Sequence, residues 1–153
     1  MSLAVHERMK VIFKILAWVS GGLVTLAIIA IGSFLLFLGY TADKMCGNQI
    51  ISNTELPEVN MNVIVFQRDC GATTGFSTQI SMLEIGEKLP NESGNIFIED
   101  TDHGRVPSGK GGGPEVKVKV ISGNHIKILH HPNTRIFNKQ SQWEGVKIEY
   151  GNL

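Results

Sequence analysis

The sequence predicts a mainly β protein: an N-terminal transmembrane helix followed by an antiparallel β-sandwich or partial-barrel domain. Three observations carry this reading. An apolar run with no charged residue extends from Ile15 to Tyr40, long enough for a helix to cross a bilayer. After it come about six short segments in which apolar residues alternate or run together, each bounded by turn-forming residues. No helical period follows the apolar run. The expected organisation is a cytoplasmic N-terminus over residues 1–14, the transmembrane helix over 15–40, a linker over 41–61 and an extracytoplasmic β domain over 62–153.

At 1.5 Å rise per residue the apolar run extends roughly 39 Å against a hydrocarbon core of roughly 30 Å, so tilt or protrusion is expected. A helix satisfies its backbone polar groups internally, as lipid requires. Trp18 and Tyr40 stand near the two ends, where amphipathic rings favour the interface, and Lys14 can snorkel. Arg8, Lys10 and Lys14 precede the run, whereas Asp43 and Lys44 nearly cancel after it. The positive-inside rule therefore places the N-terminus in the cytoplasm. A cleaved signal peptide is the competing reading, but its apolar region spans about 7 to 15 residues. The nearest cleavage pattern, ending at Ala42, also has bulky Tyr40 where a small residue belongs. A lipoprotein site at Cys46 would need small apolar residues before it, and Asp43, Lys44 and Met45 are not that set. Ala17, Gly21 and Thr25 form a small-residue face on which a second copy of the helix can pack, although small residues are common in membrane helices.

The segments after the anchor read in order as follows. Met45 to Asn60 is polar and broken by Pro57, a linker or irregular lead-in. Asn62 to Arg68 is β-branched and apolar on both faces at its centre, which suits an interior strand. Ser77 to Leu83 alternates, with Phe76, Thr78, Ile80 and Met82 on one face. Asn95 to Glu99 is a further strand. Residues 100–114 carry five glycines and two prolines with no apolar period, and are expected to form a mobile loop. Glu115 to Ile121 alternates fully, with Val116, Val118 and Val120 inward, and pairs through Ser122, Gly123 and Asn124 with His125 to His130 as a hairpin. Asn133 to Trp143 is polar and carries no clear period; one short helix could sit there. Val146 to Tyr150 alternates again as a last strand.

Charge excludes one class of partner. Residues 1–44 hold four bases against two acids, and the remainder holds ten against twelve. A weakly acidic domain offers no clustered Lys and Arg for nucleic acid, so none is expected as a partner.

The most distinctive segment is Arg68 to Gln79, RDCGATTGFSTQ. Gly71 and Gly75 permit positive φ, and Thr73 and Thr74 can bond turn amides. The bland reading is a tight turn between strands; the functional one is a binding loop formed by Asp69, Gly71, Thr73, Thr74 and Gly75. The segment resembles a motif of small membrane-anchored bacterial proteins of uncharacterised function, over about residues 62–85. That resemblance implies a bacterial envelope setting and carries no activity. Cys46 and Cys70 are the two cysteines. Their even number in an exported domain points to a disulfide, with two free thiols as the alternative.

Other patterns are weaker. Gly104 to Lys110 matches the start of a phosphate-binding loop, but Gly111 replaces the required Ser or Thr, and Gly112, Gly113 and Pro114 replace the helix. Glu99, Asp100, Asp102 and His103 are spaced like part of a calcium loop without its distal Glu, and read as a solvated loop. His130 and His131 are adjacent on a strand and face opposite sides, so they make no joint metal site. Asn91 to Ser93 matches a glycosylation sequon that arises often by chance. No catalytic residue, metal or cofactor is assigned.

The functional expectation is an extracytoplasmic protein-interaction module, anchored in the lipid bilayer of the bacterial inner (cytoplasmic) membrane and presented to an envelope protein. The alternative is a thiol-dependent enzyme centred on Cys70, with His103, His125, His130 or His131 as base.

Overall fold

The computed structural model describes residues 2–42, 45–71 and 75–153. The chain divides into two units, Met1–Thr41 and Ala42–Leu153.

The first unit is a single helix, α1 (Ser2–Ala42), whose stretch from Trp18 to Gly39 is apolar and exposed over 22 residues. At 1.5 Å per residue this stretch is roughly 33 Å long, enough to cross a hydrocarbon core. Thr25 turns its hydroxyl back to donate to the Gly21 carbonyl at 2.9 Å. That bond lets a polar side chain sit on an apolar helix without an orphaned donor.

The second unit is a β-sandwich. Its strands are β1 (Gly47–Leu56), β2 (Met61–Asp69), β3 (Ser77–Glu84), β4 (Phe97–Asp100), β5 (Val116–Ser122), β6 (His125–His130), β7 (Arg135–Lys139), β8 (Gln142–Trp143) and β9 (Val146–Asn152). They form a five-stranded sheet in the order β1-β2-β3-β4-β7 and a four-stranded sheet in the order β5-β6-β9-β8. The alternating residues foreseen from sequence, Ile80, Ile126, Ile128, Val146 and Ile148 among them, lie in the shared core. Val63, Val65, Ile80 and Phe97 of the first sheet cluster with Ile126, Ile128, Val146 and Ile148 of the second. Strand β2 is buried on both faces, as its unbroken apolar centre requires.

Four expectations are corrected. The expected linker holds β1, which pairs with β2 from Gly47↔Asp69 to Leu56↔Met61. Its sequence is polar because it lies at a sheet edge with little core to face, so the ladder and not an apolar period makes it a strand. The polar stretch 133–143 holds β7 and β8 in place of a short helix, for the same reason. The sandwich is not wholly antiparallel, since β6 and β9 run parallel. After β6 the chain crosses to the first sheet as β7 and returns as the β8–β9 hairpin, which brings β9 beside β6 in the same direction. Finally, Val120 is 48% exposed and not inward, because β5 is an edge strand whose register slips after it.

The glycine-rich segment is also unlike the expected mobile loop. It is closed by a bridge between Ser108 and Pro114 and by Gly109 N–H donating to the Gly113 carbonyl at 2.7 Å. Val106 is buried, and the Thr78 hydroxyl donates to the Pro114 carbonyl at 2.6 Å. The glycines serve close packing here. A Cβ on Gly113 would lie 2.8 Å from the Thr78 nitrogen and 2.9 Å from the Ser77 carbonyl carbon.

Each of three edge strands carries one bulge. The extra residues are Ile51 on β1, Ile121 on β5 and Phe137 on β7, all exposed. The fourth edge, β8, is two residues long. Bulges and short edges hinder the addition of foreign strands.

Candidate functional site

The five-stranded sheet has an outer face as well as a core face, and one row of residues crosses that face from edge to edge. Successive strand pairs align Asn48 with Arg68, Arg68 with Ser77, Ser77 with Asp100, and Asp100 with Arg135. Alternation along β2 puts Arg68 on the side opposite the core residues Val63 and Val65. The row is therefore amide, guanidinium, hydroxyl, carboxylate and guanidinium in order.

The connection between β3 and β4 is strapped over one part of this face. Asn48 Nδ2 donates to the carbonyls of Pro90 and Glu92 at 2.9 and 2.8 Å, and Asn91 Nδ2 donates to the Cys46 carbonyl at 2.8 Å. Gly94 N–H donates to Gln79 Oε1 at 2.6 Å. The Gly94 bond is buried, and leaving its donor unpaired would cost about 1–3 kcal/mol. The part of the row beyond the strap is an open groove of about 500 Å³, with Arg68, Ser77, Gln79, Ile98, Asp100 and Arg135 among its lining residues. Two aromatic rings belong to the same groove, Phe76 at 43% exposure and Phe137 at 58%. Phe137 is there because the β7 bulge adds it between Ile136 and Asn138.

Within the groove the charges are unequally matched. Arg135 is held by Asp100, with Nε donating to Oδ1 at 3.2 Å and Nη2 to Oδ2, and the Asp102 N–H also donates to Asp100 Oδ1 at 2.8 Å. The carboxylate keeps the Arg135 guanidinium above its ordinary value. The third Arg135 nitrogen, Nη1, donates to His103 Nε2 at 3.2 Å, so that ring nitrogen accepts. Its guanidinium also lies 4.9 Å from the Phe137 ring centroid. Among the described residues the Arg68 side chain has only neutral partners, as Nη1 donates to Asn48 Oδ1 at 2.8 Å and to Asn91 Oδ1 at 3.3 Å. No family model, curated protein or solved structure matches this chain. The site's chemistry must therefore be read from its own atoms.

Cys46 and Cys70 form a disulfide. Cys70 and Gly75 line the groove. Asp69 Oδ1 accepts the Gly71 N–H at 2.9 Å, and Gly71 has φ +97°, so this part of the turn is built as the motif suggested. Thr73 and Thr74 lie outside the described residues. Gly21 and Thr25 lie on α1 in the other unit, as does Ala17. Sequence reasoning missed Arg68, Phe137 and Arg135 as a set, because their alignment depends on strand order and on a bulge, neither of which a local pattern reports.

A second constellation lies on the core face. Glu99 and Asp100, grouped in the sequence as one acidic loop, are neighbours on β4 and point to opposite sides. Glu99 is wholly buried, with Oε2 2.6 Å from Thr134 Oγ1 and 3.5 Å from His130 Nδ1. His130 packs against Phe97 and Tyr150 at 5.3 and 6.1 Å between ring centroids. Burial pushes the Glu99 carboxyl up to about 7, against the opposing effect of the Thr134 hydroxyl. Burial also holds His130 below the ordinary imidazole value. Among the described residues no group of three or more His, Cys, Asp or Glu is arranged to hold a metal ion.

Proposed function

We propose that this chain is a protein-interaction module held at a membrane by its N-terminal helix, and that the outer-face groove is the surface it presents. The observation that carries the reading is the pair of exposed rings, Phe76 and Phe137, placed beside two guanidiniums in one groove of about 500 Å³. Aromatic residues and arginine are the side chains that contribute most where proteins bind proteins. Three bulged edges and one very short one discourage recognition by strand addition and leave a face as the means. The proposed setting is a bacterial inner membrane with the β domain outside the cytoplasm, supported by the apolar length of α1 and the basic residues before it. The thiol-enzyme alternative loses its nucleophile, because the Cys46–Cys70 bridge occupies the sulfur that would attack.

The test is site-specific photo-cross-linking in native membranes. A photoreactive residue replacing Phe137 is expected to capture a defined protein band, and the same residue replacing Lys119 on the opposite sheet is not. Equal labelling from both positions, or none from Phe137, rejects the groove as the interaction surface.

A further inference from the structure

Arg68 is the one buried lysine or arginine among the described residues, at 7% exposure. An uncompensated buried charge is costly, and burial of a guanidinium is ordinarily matched by a carboxylate. No ion pair among the described residues involves it. The acids that come nearest in sequence and register are committed elsewhere. Asp69 points to the other side of β2 and accepts the Gly71 N–H, and Asp100 is engaged by Arg135 and the Asp102 amide. Of the five guanidinium N–H donors, those on Nη1 meet the two asparagine oxygens. The fork formed by Nε and Nη2 remains for a planar anion.

We infer that Arg68 is the anchor for a carboxylate, and that the groove takes an aspartate or glutamate side chain of a partner polypeptide with an apolar residue beside it against Phe76 and Phe137. This deepens the interaction reading and rests on it. Charge complementarity selects the occupant. The ionised row Arg68, Asp100 and Arg135 leaves one net positive charge in a domain whose acids outnumber its bases by twelve to ten. A monoanion satisfies one bidentate fork, whereas a doubly charged phosphate would stand beside the Asp100 carboxylate. The aromatic rings favour a peptide over a bare anion, since they give an adjacent apolar side chain somewhere to go.

The experiment uses the full chain in lipid nanodiscs, with the arginine Nε–H resonances followed by NMR. The probes are acetyl-Glu-Phe-amide, its acetyl-Gln-Phe-amide counterpart and inorganic phosphate. The Glu peptide is expected to shift the Arg68 resonance, and the Gln peptide to bind at least tenfold more weakly. Arg68→Gln is expected to remove that tenfold preference. Phe137→Ala, at an exposed position that does not endanger folding, is expected to weaken both peptides and retain the preference for Glu. Equal binding of the two peptides, an unchanged preference in Arg68→Gln, or a response to phosphate alone overturns the inference. Failure of the interaction reading is seen separately. If photo-cross-linking at Phe137 captures a partner equally with Arg68 and with Gln at position 68, the module stands and the carboxylate anchor falls. If the unsubstituted chain captures none, the module itself fails.

Discussion

Glu99 Oε2 and His130 Nδ1 stand 3.5 Å apart, and they belong to different sheets of the sandwich. Thr134, where the chain crosses from one sheet to the other, completes the link. Its hydroxyl lies 2.6 Å from Glu99 Oε2 and 2.9 Å from the His131 carbonyl, which His130 Nδ1 also approaches at 3.0 Å. The Thr134 hydroxyl donates to Glu99 Oε2, and the His130 Nδ1–H donates to the His131 carbonyl. Donation to the carboxylate favours its ionised form, but burial outweighs it and keeps the acid neutral. Ionised Glu99 would leave Oε1, which has no partner among the described residues, as a buried charged atom. The elevated Glu99 value of about 7 reflects that cost.

The first prediction is a pH-dependent stability with two opposing limbs. Between the ordinary value of 4.5 and about 7 the folded chain keeps a Glu99 proton that the unfolded chain has lost. Stability from this group is full below 4.5, falls as pH rises through the window and is gone above about 7, with a span of about 3 kcal/mol. His130 acts in reverse. Its value lies below 6.5, so the unfolded chain binds the proton first and stability declines as pH drops below 6.5. Neighbouring charges act on both groups: Asp100 pushes Glu99 further up while Lys139 opposes it, and Lys139 and His131 both push His130 further down. Urea unfolding at a series of pH values should show Glu99→Gln losing the decline between about pH 5 and 7 and retaining the acid limb. An unchanged profile in Glu99→Gln refutes the neutral-acid reading.

The second prediction concerns the disulfide. The bridge closes a separation of 24 residues, and in the chain-entropy model a loop of this size contributes roughly 3–4 kcal/mol. Cys46→Ala and Cys70→Ala should destabilise by similar amounts, and the double variant by little more than either, since each removes the same bond. Additive losses in thermal unfolding would show that one cysteine has a separate role.

The third prediction contrasts two glycines. Gly113→Ala forces a methyl onto the backbone of Ser77 and Thr78 and should cost about 1–3 kcal/mol. Gly75, with open space where its Cβ would go, should accept Ala within about 0.5 kcal/mol. Limited proteolysis adds a readout, because Gly113→Ala should speed cleavage at Arg105 and Lys110. If the two variants are equally stable, the loop is not packed on β3 as described.

The fourth prediction is topological. With the basic residues before the apolar helix, a reporter active only outside the cytoplasm should work when fused after Leu153 and fail at the N-terminus. The opposite pattern reverses the orientation.

Sequence alone determined the long apolar N-terminal helix and the central strands, because both are written in local patterns. The charge-free run from Ile15 is a matter of composition, and the alternation of Thr78, Ile80 and Met82 or of Val146 and Ile148 follows from a two-residue period facing one core. The hairpin of β5 and β6 was legible for the same reason. Strands β1 and β7 were not, since an edge strand gains its hydrogen bonds from a neighbour and has few buried positions to betray it. The parallel pairing of β6 with β9 depended on where the intervening chain crossed between sheets. The groove was decided entirely at that level. Arg68, Asp100 and Arg135 are scattered in sequence and become one row through strand order, and Phe137 joins them through a bulge. Glu99 parted from Asp100 because adjacent residues on a strand face opposite ways, so one acid entered the core and the other the groove.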